Sequence, residues 1–363
     1  MSKVKVALFY FQSQQNTTLS YNYGWPRAFR DSHIFDADLF NLSLLSLSDQ
    51  FKLFKKLGFF KYDCIVLLHS VFSNQNRLSS YLGKILSYSA IPKIYFIGNE
   101  YKLMPEKMKF CDKLRISLLI SQSNDPIIHA AYRERLKCSV ACIPNTGHDP
   151  TIFYPQTAFK SRQIDVGYRS YEEPWYLGNI EKSQIAQYFL SKSQILDLKS
   201  DISMDPTRRF NEHGYASFLN SCKFQIGTES GTDFFDLDDY YRLQVNQYQT
   251  ANPSATWHDI QGRFFSSSHS TLVMRIISGR QVEAAACKTV QILFKGRYNN
   301  YFKPDIHYIP LEKDFSNIGE VIEKMNDDIF CAELAVNAYN VAVNELSYSS
   351  LLAKLKQELE IIL

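Results

Sequence analysis

At 363 residues the chain is long enough for two domains, each able to bury its own core. Forty Lys and Arg against 37 Asp and Glu give a net charge of +3, too balanced for general binding to nucleic acid. No apolar run approaches the ~20 residues that cross a bilayer. The first residues read as a strand rather than a signal peptide. Seven scattered cysteines, with Cys138 and Cys142 four apart on a predicted strand, complete no zinc set. Together these predict a cytoplasmic protein with reduced, buried thiols. A mildly basic surface leaves open an anionic lipid surface, and so peripheral association with the inner face of a membrane. The 26 Phe and 23 Tyr are read mainly as core.

In chain order, Lys3 to Phe11 is a buried strand. The polar run Gln12 to Trp25 is read as its loop, carrying Tyr21, Tyr23 and Trp25. Ser48-Asp49 caps a helix with Phe51, Phe54 and Leu57 inward, ended by Gly58. Cys64 to Leu68 is the next core strand. Leu78, Leu82, Ile85 and Leu86 mark a helix by spacing. Ile94 to Ile97 is a strand ending in Gly98-Asn99-Glu100. Ile116 to Ile120 and Val140 to Ile143 are strands around a helix opened by Asp125-Pro126. The alternation implies a parallel sheet with right-handed crossovers.

Pro144 to Pro155 interrupts the pattern and reads as a linker. The alternation restarts with the strand Ile164 to Tyr168, a helix with Ile185, Tyr188 and Phe189 inward, and a strand Ile195 to Ile202. A helix through Phe218 and Leu219 leads into the strand Cys222 to Thr228. Phe234 to Ser270 reads as an insertion with two helical pieces, Asp238 to Gln249 and Trp257 to Phe265. Ser278 caps a helix, Val290 to Phe294 and Ile306 to Leu311 are strands, and helices follow Asn317, the last from about Ser347 to Leu363. The domains are therefore 1–150 and 151–345, with 346–363 a terminal helix.

The end of the strand Cys222 to Thr228 is the most suggestive place for chemistry. Glu229 and Ser230 follow it, and Gly227 and Gly231 bracket them, leaving backbone room for a ligand. Asp233 and Asp236 continue the same rim. Asp236-Leu-Asp238 mimics a two-carboxylate metal site, although no metal cofactor is expected. Ser278 opens a helix on which Arg280 and Glu283 share a face, and such a helix start favours anions. His269, in a Ser-Ser-Ser-His-Ser loop, reads either as a phosphate contact or acid/base group or as an exposed, idle histidine.

Three stretches carry a resemblance: Arg280-Gln-Val-Glu-Ala-Ala-Ala-Cys-Lys-Thr289 with the run from His307, Gly227-Thr-Glu-Ser-Gly231, and Ile143-Pro-Asn-Thr-Gly-His-Asp149. In this order they resemble the donor-binding end of bacterial GT-B glycosyltransferases of the group-1 and CgeB-like branch. The resemblance covers most of the second half; in the first half only the strand–helix alternation agrees. It implies an α/β GT-B fold, two Rossmann-like domains with a cleft between them, the first receiving the acceptor near Trp25 and the second holding a nucleotide-sugar. The substrates implied are a nucleotide-sugar donor and a bacterial surface glycan or glycolipid acceptor.

By the same resemblance Glu283 meets the nucleotide ribose. Arg280 meets the donor phosphate or sugar carboxylate, or pairs with Glu283. Arg275, Lys295 and Arg169 are further cation candidates, Ser230 and Gly231 donor contacts, and His307 a contact near the base or sugar. Eight positions before Glu283, where group-1 enzymes usually carry a second glutamate, stands Arg275, and Lys288 replaces a usual glycine. These departures leave two alternatives: a retaining β-Kdo transferase using CMP-Kdo, with Asp233 or Asp236 as nucleophile, and a non-catalytic partner keeping the fold. A dinucleotide oxidoreductase is disfavoured because no Gly-x-Gly-x-x-Gly follows the first strand.

Overall fold

The computed structural model describes residues 3–13, 18–46, 48–49, 53, 57, 62–266 and 272–363. The helix expected from Ser48 to Gly58 lies mostly outside the described residues, and His269 lies wholly outside them. The chain forms two compact units: Met1–Asn145 with Phe235–Leu243 and Tyr348–Leu363, and Thr146–Phe234 with Gln244–Ser347. Among the described residues no helix is long and apolar enough to cross a membrane.

The first unit carries six parallel strands: β1 Val4–Tyr10, β2 Phe35–Asn41, β3 Cys64–Leu67, β4 Lys93–Phe96, β5 Leu118–Ser121 and β6 Ser139–Cys142. Their spatial order is β2-β1-β3-β4-β5-β6. β3, β4 and β5 are buried on both faces, as a parallel sheet covered by helices requires. The edge strand β2, with Asp36 and Asp38 alternating against apolar neighbours, is mostly half-buried. The sequence reading did not find it.

The run from Gln12 to Trp25 departs from its expectation. Its second half is the start of a helix, Tyr21–Arg30, with Pro26 inside. Tyr21, Trp25 and Phe29 stand four apart and share one face, a helical period that Gly24 and Pro26 disguise. Trp25 is fully buried against Phe29, Phe96 and Tyr348, and its indole N–H donates to the Asn145 carbonyl at 2.7 Å. Tyr348 opens the last helix, Tyr348–Leu359, which packs on Tyr21–Arg30. A Cβ on Gly24 would lie 2.3 Å from the Tyr348 hydroxyl, so this contact needs glycine.

His69, just after β3, stands in the same aromatic box, with ring centroids 5.7 Å from Tyr21, 6.3 Å from Trp25 and 5.2 Å from Phe96. Its buried Nε2 has no hydrogen-bond partner among the described residues, and burial drives its pKa down to about 3.

The second unit carries the parallel strands β7 Ile164–Arg169, β8 Ser200–Ser203 and β9 Cys222–Gly227, then the antiparallel pair β10 Ser230–Thr232 and β11 Met274–Ile276, then β12 Val290–Phe294 and β13 Ile309–Leu311. The five parallel strands lie in the order β13-β12-β9-β7-β8. The chain thus runs from β7 outward to β8, then returns to the other side of β7 with β9. That reversal between β7 and β9 opens a crevice at their carboxyl ends.

Two expected strands are shorter than their apolar runs. Asp197 takes a left-handed φ of 50°, which turns the chain before β8 and leaves Ile195 76% exposed. Asp305, at φ 60°, likewise delays β13 to Ile309.

Arg162, 4% exposed, ties this unit together below β7. Its guanidinium donates to the carbonyls of Thr157, Leu219, Cys222 and Cys287 and to the Thr289 hydroxyl, at 2.8–3.4 Å.

Two outcomes are expected. Arg162→Met strands several buried carbonyls and costs about 3 kcal/mol or more of stability, measured by urea unfolding. The unfolded chain protonates its histidine below the ordinary 6.5, whereas native His69 stays neutral to about pH 3. Stability is therefore held above pH 6.5 and lost as pH falls from there toward 3. His69→Phe removes that component, read as a smaller loss of melting temperature over the same range.

Candidate functional site

The carboxyl ends of β7 and β9 face the amino ends of two helices, Glu181–Lys192 and Gly279–Ala286. The second helix is capped by Ser278 and Gln281 in a reciprocal box: the Ser278 N–H donates to Gln281 Oε1 at 2.8 Å. Gln281 Nε2 also donates to the Thr228 carbonyl at 3.1 Å, which seats this helix against the end of β9. The first helix is capped from outside by Glu173, whose carboxylate accepts the N–H groups of Lys182 (2.7 Å) and Ser183 (3.2 Å) and the Ser183 hydroxyl (2.8 Å).

One charge cluster in this crevice is closed. Arg275, on β11, donates to Asp233 Oδ1 at 2.6 Å and to both oxygens of Glu181 at 2.9 and 3.1 Å. Lys313 adds a second cation to Glu181 at 2.7 Å, and the Thr228 hydroxyl donates to it as well. Burial alone would raise the Glu181 carboxyl; Arg275 and Lys313 outweigh it and hold it below its usual value. Burial prevails at Asp233, whose carboxyl is raised despite Arg275.

Glu229 stands beside this cluster and fastens two loops. Its Oε1 accepts the N–H groups of Arg297 (3.1 Å) and Tyr298 (2.7 Å). A Cβ on Gly296 would lie 2.5 Å from its Oε2, so glycine makes room for the carboxylate. Burial raises its pKa, with the Tyr298 N–H and Arg275 opposing.

A second cluster is open. Lys182 is 5% exposed, yet its Nζ has no hydrogen-bond or ion-pair partner among the described residues. Its one neighbour of note is the ring of Tyr171, with the centroid at 5.0 Å. Arg209 lies over the same ring at 5.8 Å. Arg280 completes the group: it acts electrostatically on Tyr168, Tyr171 and Lys182, and its guanidinium likewise makes no hydrogen bond or ion pair among the described residues. Burial lowers the Lys182 ammonium.

The other sequence candidates are distributed as follows. Glu283 is buried on the Arg280 helix near Tyr215. Ser230 and Gly231 lie in the β10–β11 ladder. Gly231 has φ 98°, and a Cβ there would lie 1.8 Å from the Met274 carbonyl, so its glycine serves strand pairing.

Arg169 is held by Asp201, through Oδ2 at 2.7 Å and the carbonyl at 2.8 Å, and covered by Phe210 and Phe218. Lys295 pairs with Glu312 on the exposed side of β12 and β13. His307 precedes β13, and its Nδ1 accepts the Lys303 N–H at 2.9 Å. Asp236 belongs to the first unit, where it accepts the N–H groups of Asp238 (2.8 Å) and Tyr241 (3.2 Å). Among the described residues no group of three or more His, Cys, Asp or Glu is placed to hold a metal ion.

Glu181, Lys182 and Tyr171 were missed in sequence. A signal existed: a cation in a helix's first turn opposes the dipole, so Lys182 there is anomalous unless an anion meets it.

No protein-family model matches the chain, and no curated protein matches it in sequence. Solved structures do share its fold. Sucrose-phosphate synthase from Thermosynechococcus elongatus aligns with a TM-score of 0.55 at 10% identity, covering 99% of each chain. A glycosyltransferase from Rickettsia africae gives 0.54 at 10% identity, covering 100% of this chain and 99% of its own. A DNA-modifying β-glucosyltransferase, studied with and without its substrate uridine diphosphoglucose, gives 0.56 at 10% identity over 98% and 99%. The chain therefore has the GT-B fold, with two Rossmann-like halves.

Removing the hub of the closed cluster tests its role. Arg275→Leu leaves buried Glu181 with Lys313 as its remaining cation and half-buried Asp233 without its own, and is expected to cost about 1–3 kcal/mol in chemical unfolding. Arg275→Lys should recover part of that loss.

Proposed function

We propose that the chain is a glycosyltransferase whose second unit binds a nucleoside-diphosphate sugar, with the diphosphate on Lys182 and Arg280. The observation that carries this is the open cluster: Lys182, 5% exposed and with no hydrogen bond or ion pair among the described residues, set beside Arg280 at the switch point of a parallel sheet. A buried cation without a counter-charge is costly, so an anionic ligand is the natural partner. Lys182 and Arg280 both act on Tyr171 here; of the carboxylates that act on them, Glu173 is engaged by helix N–H groups and Glu283 acts on Arg280. Two cations suit the two charges of a diphosphate.

Transfer would break the bond between the anomeric carbon and the phosphate oxygen and form a bond to an acceptor hydroxyl, whose proton is lost. Charge grows on the departing phosphate, and Lys182 and Arg280 are fixed where they can stabilise it without reorganising. Glu283, on the helix that carries Arg280, is the proposed ribose contact, and Asp233 the proposed carboxylate toward the sugar. The proposed acceptor is a bacterial surface glycan or glycolipid.

The alternative donor, CMP-Kdo, brings a sugar carboxylate that needs a cation of its own. Arg275 is saturated by Glu181 and Asp233, which weighs against that reading.

Calorimetry with UDP, GDP and CMP tests the proposal. A diphosphate nucleotide should bind at least about tenfold more tightly than CMP, in EDTA as well as without it. Lys182→Ala should weaken it by about tenfold or more, and Glu283→Ala by a smaller factor. If no nucleotide binds, or CMP binds best, the proposal fails.

A further inference from the structure

Tyr171 lies two residues beyond β7, with its ring centroid 5.0 Å from the Lys182 ammonium and 5.8 Å from the Arg209 guanidinium. Its hydroxyl makes no hydrogen bond among the described residues. A phenol set among cations and given no acceptor is ill placed as mere packing, since the ring alone could be supplied by phenylalanine. The charged groups facing it are Lys182 and Glu173 from the helix Glu181–Lys192 and its cap, Arg280 from the helix Gly279–Ala286, and Arg209 from the loop after β8. Three are cations, and the one carboxylate is held by backbone N–H groups and Ser183.

We propose that Tyr171 is a phosphate-binding residue whose hydroxyl donates to the donor's diphosphate. This deepens the donor-site reading above and rests on it. Without ligand, the phenol and Glu173 are the groups that favour the charged form of Lys182, the phenol more strongly. Lys182 first, then Arg280 and Arg209, hold its pKa below the ordinary tyrosine value against the effect of burial. An incoming diphosphate supplies the counter-charge instead. The phenolate oxygen then accepts a proton from solvent, and the restored O–H donates to a phosphate oxygen. No other bond changes. The device would make donor affinity sensitive to pH through a residue that the reaction itself does not consume.

The test uses the full chain, with UDP and inorganic pyrophosphate as separate probes, titrated from about pH 7 to about pH 9.5 in buffers of different ionisation enthalpy. For the wild type, affinity should fall by on the order of tenfold over that range, with net proton uptake on binding. Y171F, which keeps the ring, should bind roughly fivefold or more weakly near pH 7, as loss of a charge-assisted hydrogen bond implies. It should also show a flatter pH profile and less proton uptake; what remains belongs to Lys182. Independently of any variant, pyrophosphate added to the wild type at the alkaline end should lower the tyrosinate ultraviolet absorbance.

The inference is overturned if Y171F matches the wild type in affinity, pH profile and proton uptake, or if pyrophosphate leaves the tyrosinate absorbance unchanged. If the wild type binds neither probe at any pH, the donor-site reading itself falls, an outcome distinct from failure of Tyr171 alone.

Discussion

The second unit depends on one topological constraint, the reversal of strand order between β7 and β9. Parallel strands connected by right-handed crossovers place successive helices on opposite faces when the direction of winding changes. That leaves a crevice at the carboxyl ends of the two central strands. The helices that start there, at Glu181 and Gly279, turn their amino ends toward the gap. Glu181, Lys182, Arg280 and Glu229 are delivered by elements ending or starting at this reversal, and Arg275 by the β10–β11 pair beside it.

The two charge clusters differ in their degree of closure. Arg275 is matched by Glu181 and Asp233, and Glu181 is matched again by Lys313. Such a network fixes geometry and has little capacity left for a ligand. Lys182 and Arg280, one residue and one helix away, make no hydrogen bond or ion pair among the described residues, with Glu283 acting on Arg280 from the same helix. The closed cluster thus works as a scaffold that keeps the β10–β11 pair and the Glu181 helix in register, while the open cluster keeps its donors for an anion. Adjacent residues, Glu181 and Lys182, belong one to each. Alternation along a helix start separates their directions, so a single first turn serves both stability and binding.

The first unit shows how far local pattern can mislead. Tyr21, Trp25 and Phe29 carry a helical period, yet Gly24 and Pro26 read locally as breakers that point to a loop. Gly24 is there because Tyr348, more than 300 residues later, needs the space that a Cβ would fill. Asp239 is a similar case: read as part of an insertion, it accepts the Leu103 N–H at 2.9 Å and caps the helix Met104–Leu114. In both cases the explanation of one residue lies in a partner distant in sequence, which no window of a dozen residues contains.

Much of the fold was legible in the sequence. Apolar runs at Val4–Tyr10, Cys64–Leu67 and Val290–Phe294 announced buried parallel strands, because strands covered on both faces need apolar side chains throughout, while Ile164–Arg169 and Cys222–Gly227 were legible from alternating apolar positions. The Asp125-Pro126 and Ser278 starts were legible because capping is a local interaction. Glu229, Asp233, Arg275 and Arg280 were legible as candidates, though not their division of labour. Only the tertiary structure set Arg169 against Asp201, Asp236 on backbone N–H groups of the first unit, and Lys182 under Tyr171. Strand and helix formation follow from neighbours along the chain, whereas a charge's role follows from which opposite charge reaches it through the fold.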